Sequence, residues 1–203
     1  MTGIVLKEMP LGESDKLLTV FSQEQGRISV VAKGAKKPGS RFLAAASAFA
    51  YSDMELVKGR SMYVMRNANI ISSFYGLRED LDILTAAAEI ARITLKVIQE
   101  ELPDPETLEL LLKALTFLEQ KKRSPRLVAA VFTIRLLCIQ GMIADLNSMN
   151  LRGAFRLKSG TRAAFNYICT APDEKLFAFK VSDEVEQELY ERGRSLCEHI
   201  LLS

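Results

Sequence analysis

The hydrophobic period of the chain changes near residue 79, and that change fixes its class of fold. Before it, short apolar runs alternate with polar residues and are separated by Gly, Pro and polar connectors, the pattern of strands joined by tight turns. After it, apolar residues recur at helical spacing. Strands followed by helices make the class α+β. With 203 residues the chain can bury a real core as one large unit or two small ones. We read residues 1–78 as a β domain and residues 79–203 as a helical one.

In the first part, residues 3–9 read as a strand ending at the turn Pro10-Leu11-Gly12, and residues 16–22 as a second strand. Gln23-Glu24-Gln25-Gly26 is a hairpin loop whose glycine can supply a positive φ. Residues 27–32 form the third strand. Residues 42–48 are rich in alanine and are expected as a short helix. Residues 49–56 alternate as a fourth strand, Lys58-Gly59-Arg60 turns the chain, and residues 61–66 begin a fifth that runs on to residue 74 through a bulge. Five short strands with a helical insert between the third and fourth match the layout of an OB-fold barrel, with an SH3-like barrel as the alternative.

Net charge is only +2, but it is unevenly spread. Residues 1–78 carry eleven Lys/Arg and six Asp/Glu, and the remainder carries sixteen and nineteen. A basic surplus confined to one part is the electrostatic footprint of a nucleic-acid-binding module. It concentrates in and just after the third strand, where Arg27, Lys33, Lys36, Lys37 and Arg41 occur with no carboxylate between Arg27 and Phe42. Cations of this kind meet phosphates and release condensed counterions, and they position a strand without reading bases. Lys58, Arg60 and Arg66 on the opposite hairpin can extend the stripe. Phe42, Tyr51 and Tyr63 are candidate stacking faces, although aromatics in a small barrel are usually core.

From Asp80 onward, Leu81, Leu84, Ala87, Ala88, Ala91, Leu95 and Ile98 mark the first helix. Asp104 caps a second, with Pro105 at its first position, and Ser124-Pro125 repeats the cap for a third that runs to Gly141. The tight connectors predict that these three pack as antiparallel neighbours. Residues 159–170 are expected as a short helix, residues 175–180 alternate briefly, and a last amphipathic helix opens at residues 182–185. Arg126 and Arg135 stand on the otherwise apolar third helix and are candidates to hold an acidic tail peptide.

Cys138, Cys169 and Cys197 are odd in number, widely spaced and without a C-x-x-C, so neither a disulfide framework nor a zinc site is supported. Three reduced thiols are expected, with Cys138 as a core residue. His199 is the only histidine, and there is no nucleophile–base pair, H-E-x-x-H or P-loop. Asp53 and Glu55 are explained by the polar face of a strand. An enzyme is therefore the least supported class, and no cofactor or metal is expected. No apolar run reaches membrane-spanning length and the first residues lack the layout of a signal peptide, so the cytoplasm is the expected compartment.

Three stretches together resemble a known family. Ile4-Val5-Leu6-Lys7, Leu11-Gly12-Glu13-Ser14-Asp15-Lys16 and Gly26-Arg27-Ile28-Ser29-Val30-Val31-Ala32-Lys33-Gly34-Ala35 resemble the N-terminal domain of the bacterial RecO recombination mediators. Val131-Phe132-Thr133-Ile134-Arg135-Leu136-Leu137 with Gly141 resembles that family's core helix. Ser159-Gly160-Thr161, Tyr167-Ile168 and Leu176-Phe177-Ala178-Phe179 resemble the segment before its last helix. The resemblance implies an OB-fold followed by a helical domain, and a protein that binds single- and double-stranded DNA and anneals complementary strands. It also implies action with RecR to load the recombinase RecA onto strands covered by single-strand-binding protein, whose acidic C-terminal tail the family contacts. Many members carry a four-cysteine zinc module before the Ser-Gly-Thr segment. Here residues 147–156 stand in its place without a cysteine, so no structural zinc is expected. An OB-fold RNA-binding protein and a protein-interaction adaptor are the alternatives.

Overall fold

A computed structural model of the chain describes residues 1–143 and 157–202. Two compact units emerge: Met1–Tyr75 with Ile98–Leu108, and Gly76–Val97 with Glu109–Ser203.

The first unit is a closed five-stranded barrel. Its strands are β1 (Thr2–Leu11), β2 (Asp15–Ser22), β3 (Gly26–Ala32), β4 (Tyr51–Lys58) and β5 (Tyr63–Ser72). They are ordered β1-β2-β3-β5-β4, with β4 returning to β1. All neighbours are antiparallel except β3 and β5, which run parallel through Val30↔Tyr63 and Val31↔Val64. Alternation drives closure: Ile28, Val30 and Ala32 of β3 point inward to meet Val5, Leu18, Val20, Met54 and Met65, while Arg27, Ser29 and Val31 point away. Two residues of β5 have no opposite number on β4, Arg66 and Ile71. Each is a β-bulge, which bends the strand and re-aims its side chains.

The segment Ile98–Leu108 runs beside the start of β3. Arg27 donates its backbone N–H to the Gln99 carbonyl at 3.0 Å. Gly26 has φ +61, and a Cβ there would lie 2.0 Å from the Leu102 carbonyl oxygen, so only glycine fits.

The alanine-rich residues 42–48 form consecutive turns, not the expected helix. The reason lies in two β-strand side chains. Lys16 Nζ donates to the Ala46 carbonyl at 3.2 Å, and Glu8 accepts from the Ala48 N–H at 3.3 Å, so side chains satisfy backbone groups that a helical ladder would otherwise use. Phe42, Ala45 and Ala46 are buried, with Phe42 and Ala46 part of the barrel core.

The second unit contains a 3₁₀ turn (Tyr75–Arg78, of which Gly76 onward belongs here), α1 (Leu81–Val97), the body of α2 (Pro105–Glu119), α3 (Pro125–Ile139), α4 (Ser159–Thr170) and α5 (Asp183–Leu202). Asp80 caps α1, its Oδ1 accepting from the N–H groups of Asp82 and Ile83. Every residue from 127 to 134 of α3 is buried, so this helix is apolar on all sides and must be covered on all sides. The partner lying most extensively along it is α5, with α1 and α4 also against it. The expected antiparallel set of α1, α2 and α3 is thus replaced by α3 surrounded by α1, α4 and α5.

Two smaller readings also change. Ser124 does not cap α3 with its side chain; its hydroxyl donates to Glu186 instead. Residues 173–178 are turns and 179–180 form no strand, because Leu176 and Phe177 are both buried and cannot alternate across a sheet. Phe177 stacks on Phe117 with ring centroids 5.0 Å apart. Arg123 holds this turn by donating to the Phe177 and Ala178 carbonyls at 3.2 and 2.7 Å. No helix is long and apolar enough to cross a membrane among the described residues.

Candidate nucleic-acid interface

The loop after β3 is shaped by its backbone. Gly34 takes φ +69, and its N–H donates to Asp15 Oδ1 at 2.8 Å. The Lys36 N–H donates to the Ser14 carbonyl at 2.9 Å, so the loop is docked on the β1–β2 hairpin at two points. Ala35 between them is fully buried. Turn bonds from Lys37 to Gly34 and from Ser40 to Lys37, with a second positive φ at Gly39, bring the chain back over the barrel. Phe42 then plugs the core.

This path leaves a groove of about 450 Å³ lined by Lys33, Lys37, Ser40, Arg41 and Arg66, with Phe42 at its base. No carboxylate lines it. The Arg41 guanidinium sits 4.6 Å from the centre of the Phe42 ring and donates to the Arg66 carbonyl at 2.8 Å. That carbonyl belongs to a bulged residue, so the distortion in β5 ties the second wall of the groove to the loop. Four cations from two separate segments thereby face one concavity, which suits a polyanion whose charge is regularly spaced.

The other four predicted cations lie elsewhere. Lys36 is on the same loop, but its ammonium donates to the Gly12 carbonyl at 3.2 Å. Arg27 is at the opposite end of β3 and pairs with Glu100 at 3.3 Å. Lys58 pairs with Glu101 at 3.3 Å, and that hydrogen-bonded carboxylate holds its pKa above the usual lysine value. Arg60 is exposed on the turn between β4 and β5.

The aromatic candidates do not make a stacking platform. Phe42 is only 6% exposed beneath Arg41. Tyr63 is half-buried and its hydroxyl donates to Gln25 at 2.8 Å. Tyr51 is half-buried, and burial, assisted by Glu24, pushes its phenol upward. Asp15 went unrecognised in the sequence. Its partner is 19 residues away, and only the need of Gly34 for a positive φ hinted at a loop that something must hold.

In the helical unit, Arg126 and Arg135 are nine residues apart on α3, about two and a half turns, and so point in opposite directions. Arg126 is exposed beside a cavity of about 460 Å³ whose other charged groups are Asp82, Glu89 and Glu186. Arg135 is turned inward: it donates to the Ile168 and Cys169 carbonyls at 3.3 and 2.8 Å and pairs with Asp173 at 3.0 Å. Among the described residues, no cluster of three or more His, Cys, Asp or Glu could hold a metal ion. Residues 147–156, read as the replacement for the zinc module, lie outside the described residues.

The family description "Recombination protein O N terminal" matches residues 1–74, the barrel strands, and "Recombination protein O C terminal" matches residues 78–154. A relative from Acetivibrio thermocellus named DNA repair protein RecO is 36% identical over 215 residues, covering 93% of this chain and 86% of the relative. The chain belongs to the RecO family. DNA repair proteins RecO from Clostridium novyi and Bacillus subtilis are 25% and 32% identical, over 93% and 71% of this chain. The chain covers 83% of the Clostridium RecO but only 56% of the Bacillus one. The family carries both the barrel and the helical part, so the basic groove sits on the RecO N-terminal fold.

Proposed function

We propose that this RecO-family chain is a non-enzymatic DNA-binding mediator of recombinational DNA repair, acting in the bacterial cytoplasm at the nucleoid. Residues 1–78 serve as the nucleic-acid-binding domain and residues 79–203 as the helical domain. The protein captures single- and double-stranded DNA by its phosphates, anneals complementary single strands, and works with RecR to load recombinase onto strands coated with single-strand-binding protein. The observation that supports this best is the groove of Lys33, Lys37, Arg41 and Arg66 without a carboxylate. Annealing follows from the same chemistry, because partial neutralisation lets two phosphate chains approach one another.

The deciding experiment is a strand-annealing assay with complementary oligonucleotides, bare and coated with single-strand-binding protein. Acceleration that disappears when Lys33, Lys36 and Lys37 are replaced by Glu supports the proposal. A folded charge-reversed variant that anneals as fast as the parent refutes it. Contact with the acidic tail of single-strand-binding protein rests on Arg126 alone, since Arg135 is tied to Asp173 and two carbonyls. Arg126→Ala should weaken capture of a tail peptide, and undiminished capture removes this arm of the proposal.

A further inference from the structure

The three cysteines of the chain carry thiols, and two of them meet. Cys138 lies in the last turn of α3 and Cys169 in the last turn of α4, with their sulfur atoms 3.0 Å apart. Both are half-exposed, so a small reagent can reach them. Nothing in their spacing, 31 residues apart, announces the pair. Arg135 explains why they are held together. One turn before Cys138, it donates to the carbonyls of Ile168 and Cys169 and pairs with Asp173, clamping the end of α4 to α3.

We propose that Cys138 and Cys169 form a thiol–disulfide couple that staples the end of α3 to the end of α4 when a low-molecular-weight disulfide is present. The Cys138 thiolate attacks one sulfur of the small disulfide, forming a mixed disulfide and expelling one small thiolate, which takes up a proton. Cys169, deprotonated in turn, attacks the Cys138 sulfur and expels the second small thiol. Two protein thiols are oxidised to one disulfide and one small disulfide is reduced to two thiols. Cys138 is suited to the first step: its hydrogen bond with Cys169, and secondarily the Arg135 charge, pull its thiol below the usual cysteine value against the opposing effect of burial. Cys197 is the internal control, because burial pushes its thiol up.

The test uses the full chain incubated with oxidised glutathione, quenched with acid, alkylated after unfolding and analysed by mass spectrometry. The expected product has lost two hydrogens, yields one cross-linked peptide pair containing Cys138 and Cys169, retains an alkylatable Cys197, and returns to the starting mass with dithiothreitol. The Cys197→Ser variant should behave identically, whereas Cys169→Ser should stop at a glutathione adduct on Cys138. The oxidised chain should also unfold at a higher temperature than the reduced one, because the bond closes a long loop in the unfolded state. Persistent glutathione adducts on Cys138 and Cys169, a bond to Cys197, or no change in mass would each overturn the couple.

Discussion

The groove makes a quantitative demand on salt dependence. If Lys33, Lys37, Arg41 and Arg66 each meet one phosphate of a single strand, log Kobs should fall against log salt with a slope of about −2.8, from roughly 0.7 per neutralised phosphate. Between about 50 and 200 mM salt the affinity should then drop by about 50-fold. The informative variant is Lys33→Ala with Lys37→Ala. Both side chains are exposed, and among the described residues neither ammonium holds another part of the loop. The loop keeps its shape through backbone bonds at Gly34, Lys36 and Lys37, which alanine preserves. Losing two contacts should bring the slope to about −1.4 and the drop to about sevenfold. Arg41 is a poorer probe, because it also covers Phe42 and ties β5 to the loop. The assay is fluorescence anisotropy of a labelled oligonucleotide across a salt series, with a thermal melt to show that the variant is folded. An unchanged slope in a folded double variant, or a flat response in the parent, would refute the counterion argument for this groove.

Three further outcomes are expected. Gly26→Ala should destabilise the barrel by about 2–4 kcal/mol in urea unfolding, because φ +61 and the Leu102 carbonyl leave no room for a Cβ; an unchanged midpoint would contradict the close approach. Asp15→Ala removes a negative charge near a basic loop, so bulk electrostatics alone predicts tighter DNA binding. The structure predicts weaker binding and a stability loss of about 1.5–3 kcal/mol, since the carboxylate holds Gly34; a tighter complex in the same anisotropy assay would show the loop needs no anchor. Iodoacetamide should modify Cys138 from a lower pH than Cys197 as pH rises. The lowered thiol of Cys138 reaches its thiolate form first, and the thiol raised by burial reaches it last; mass-spectrometric rates in the reverse order would sink the assignment.

The barrel was legible because each strand spans few residues and alternates cleanly. Ile28, Val30 and Ala32 face the core and their neighbours do not. Helix starts were legible where a carboxylate performs the cap, as Asp80 and Asp104 do. They were less so at Ser124, whose hydroxyl answers to Glu186, 62 residues away. Alanine propensity misled at residues 42–48 because Lys16 and Glu8, distant in sequence, take up backbone groups there. The same division applies to the site. Composition identifies the basic stretch and the sequence anticipates a bulge in the fifth strand, but convergence depends on a bulge falling at Arg66, a position the sequence pattern does not give. Nor could local sequence show that Glu100 meets Arg27 and Glu101 meets Lys58.

These pairings suggest why the groove is held the way it is. Cations can be fixed in place by carboxylates, as at Arg27 and Lys58, but a carboxylate near enough to do so competes with an incoming phosphate. The loop between β3 and residue 42 is fixed by other means: buried Ala35 and Phe42, backbone bonds to the β1–β2 hairpin, and one aspartate whose bond is to an N–H. Lys33 and Lys37 therefore stand on an ordered backbone while their charges stay available. A flexible loop of the same composition would have to be ordered by its ligand, and part of the phosphate attraction would be offset by that loss of freedom. The docked loop has met that cost during folding, through apolar burial in the barrel. If the groove takes nucleic acid as proposed, binding strength depends on the number of phosphates reached and on salt, with little dependence on which bases they carry.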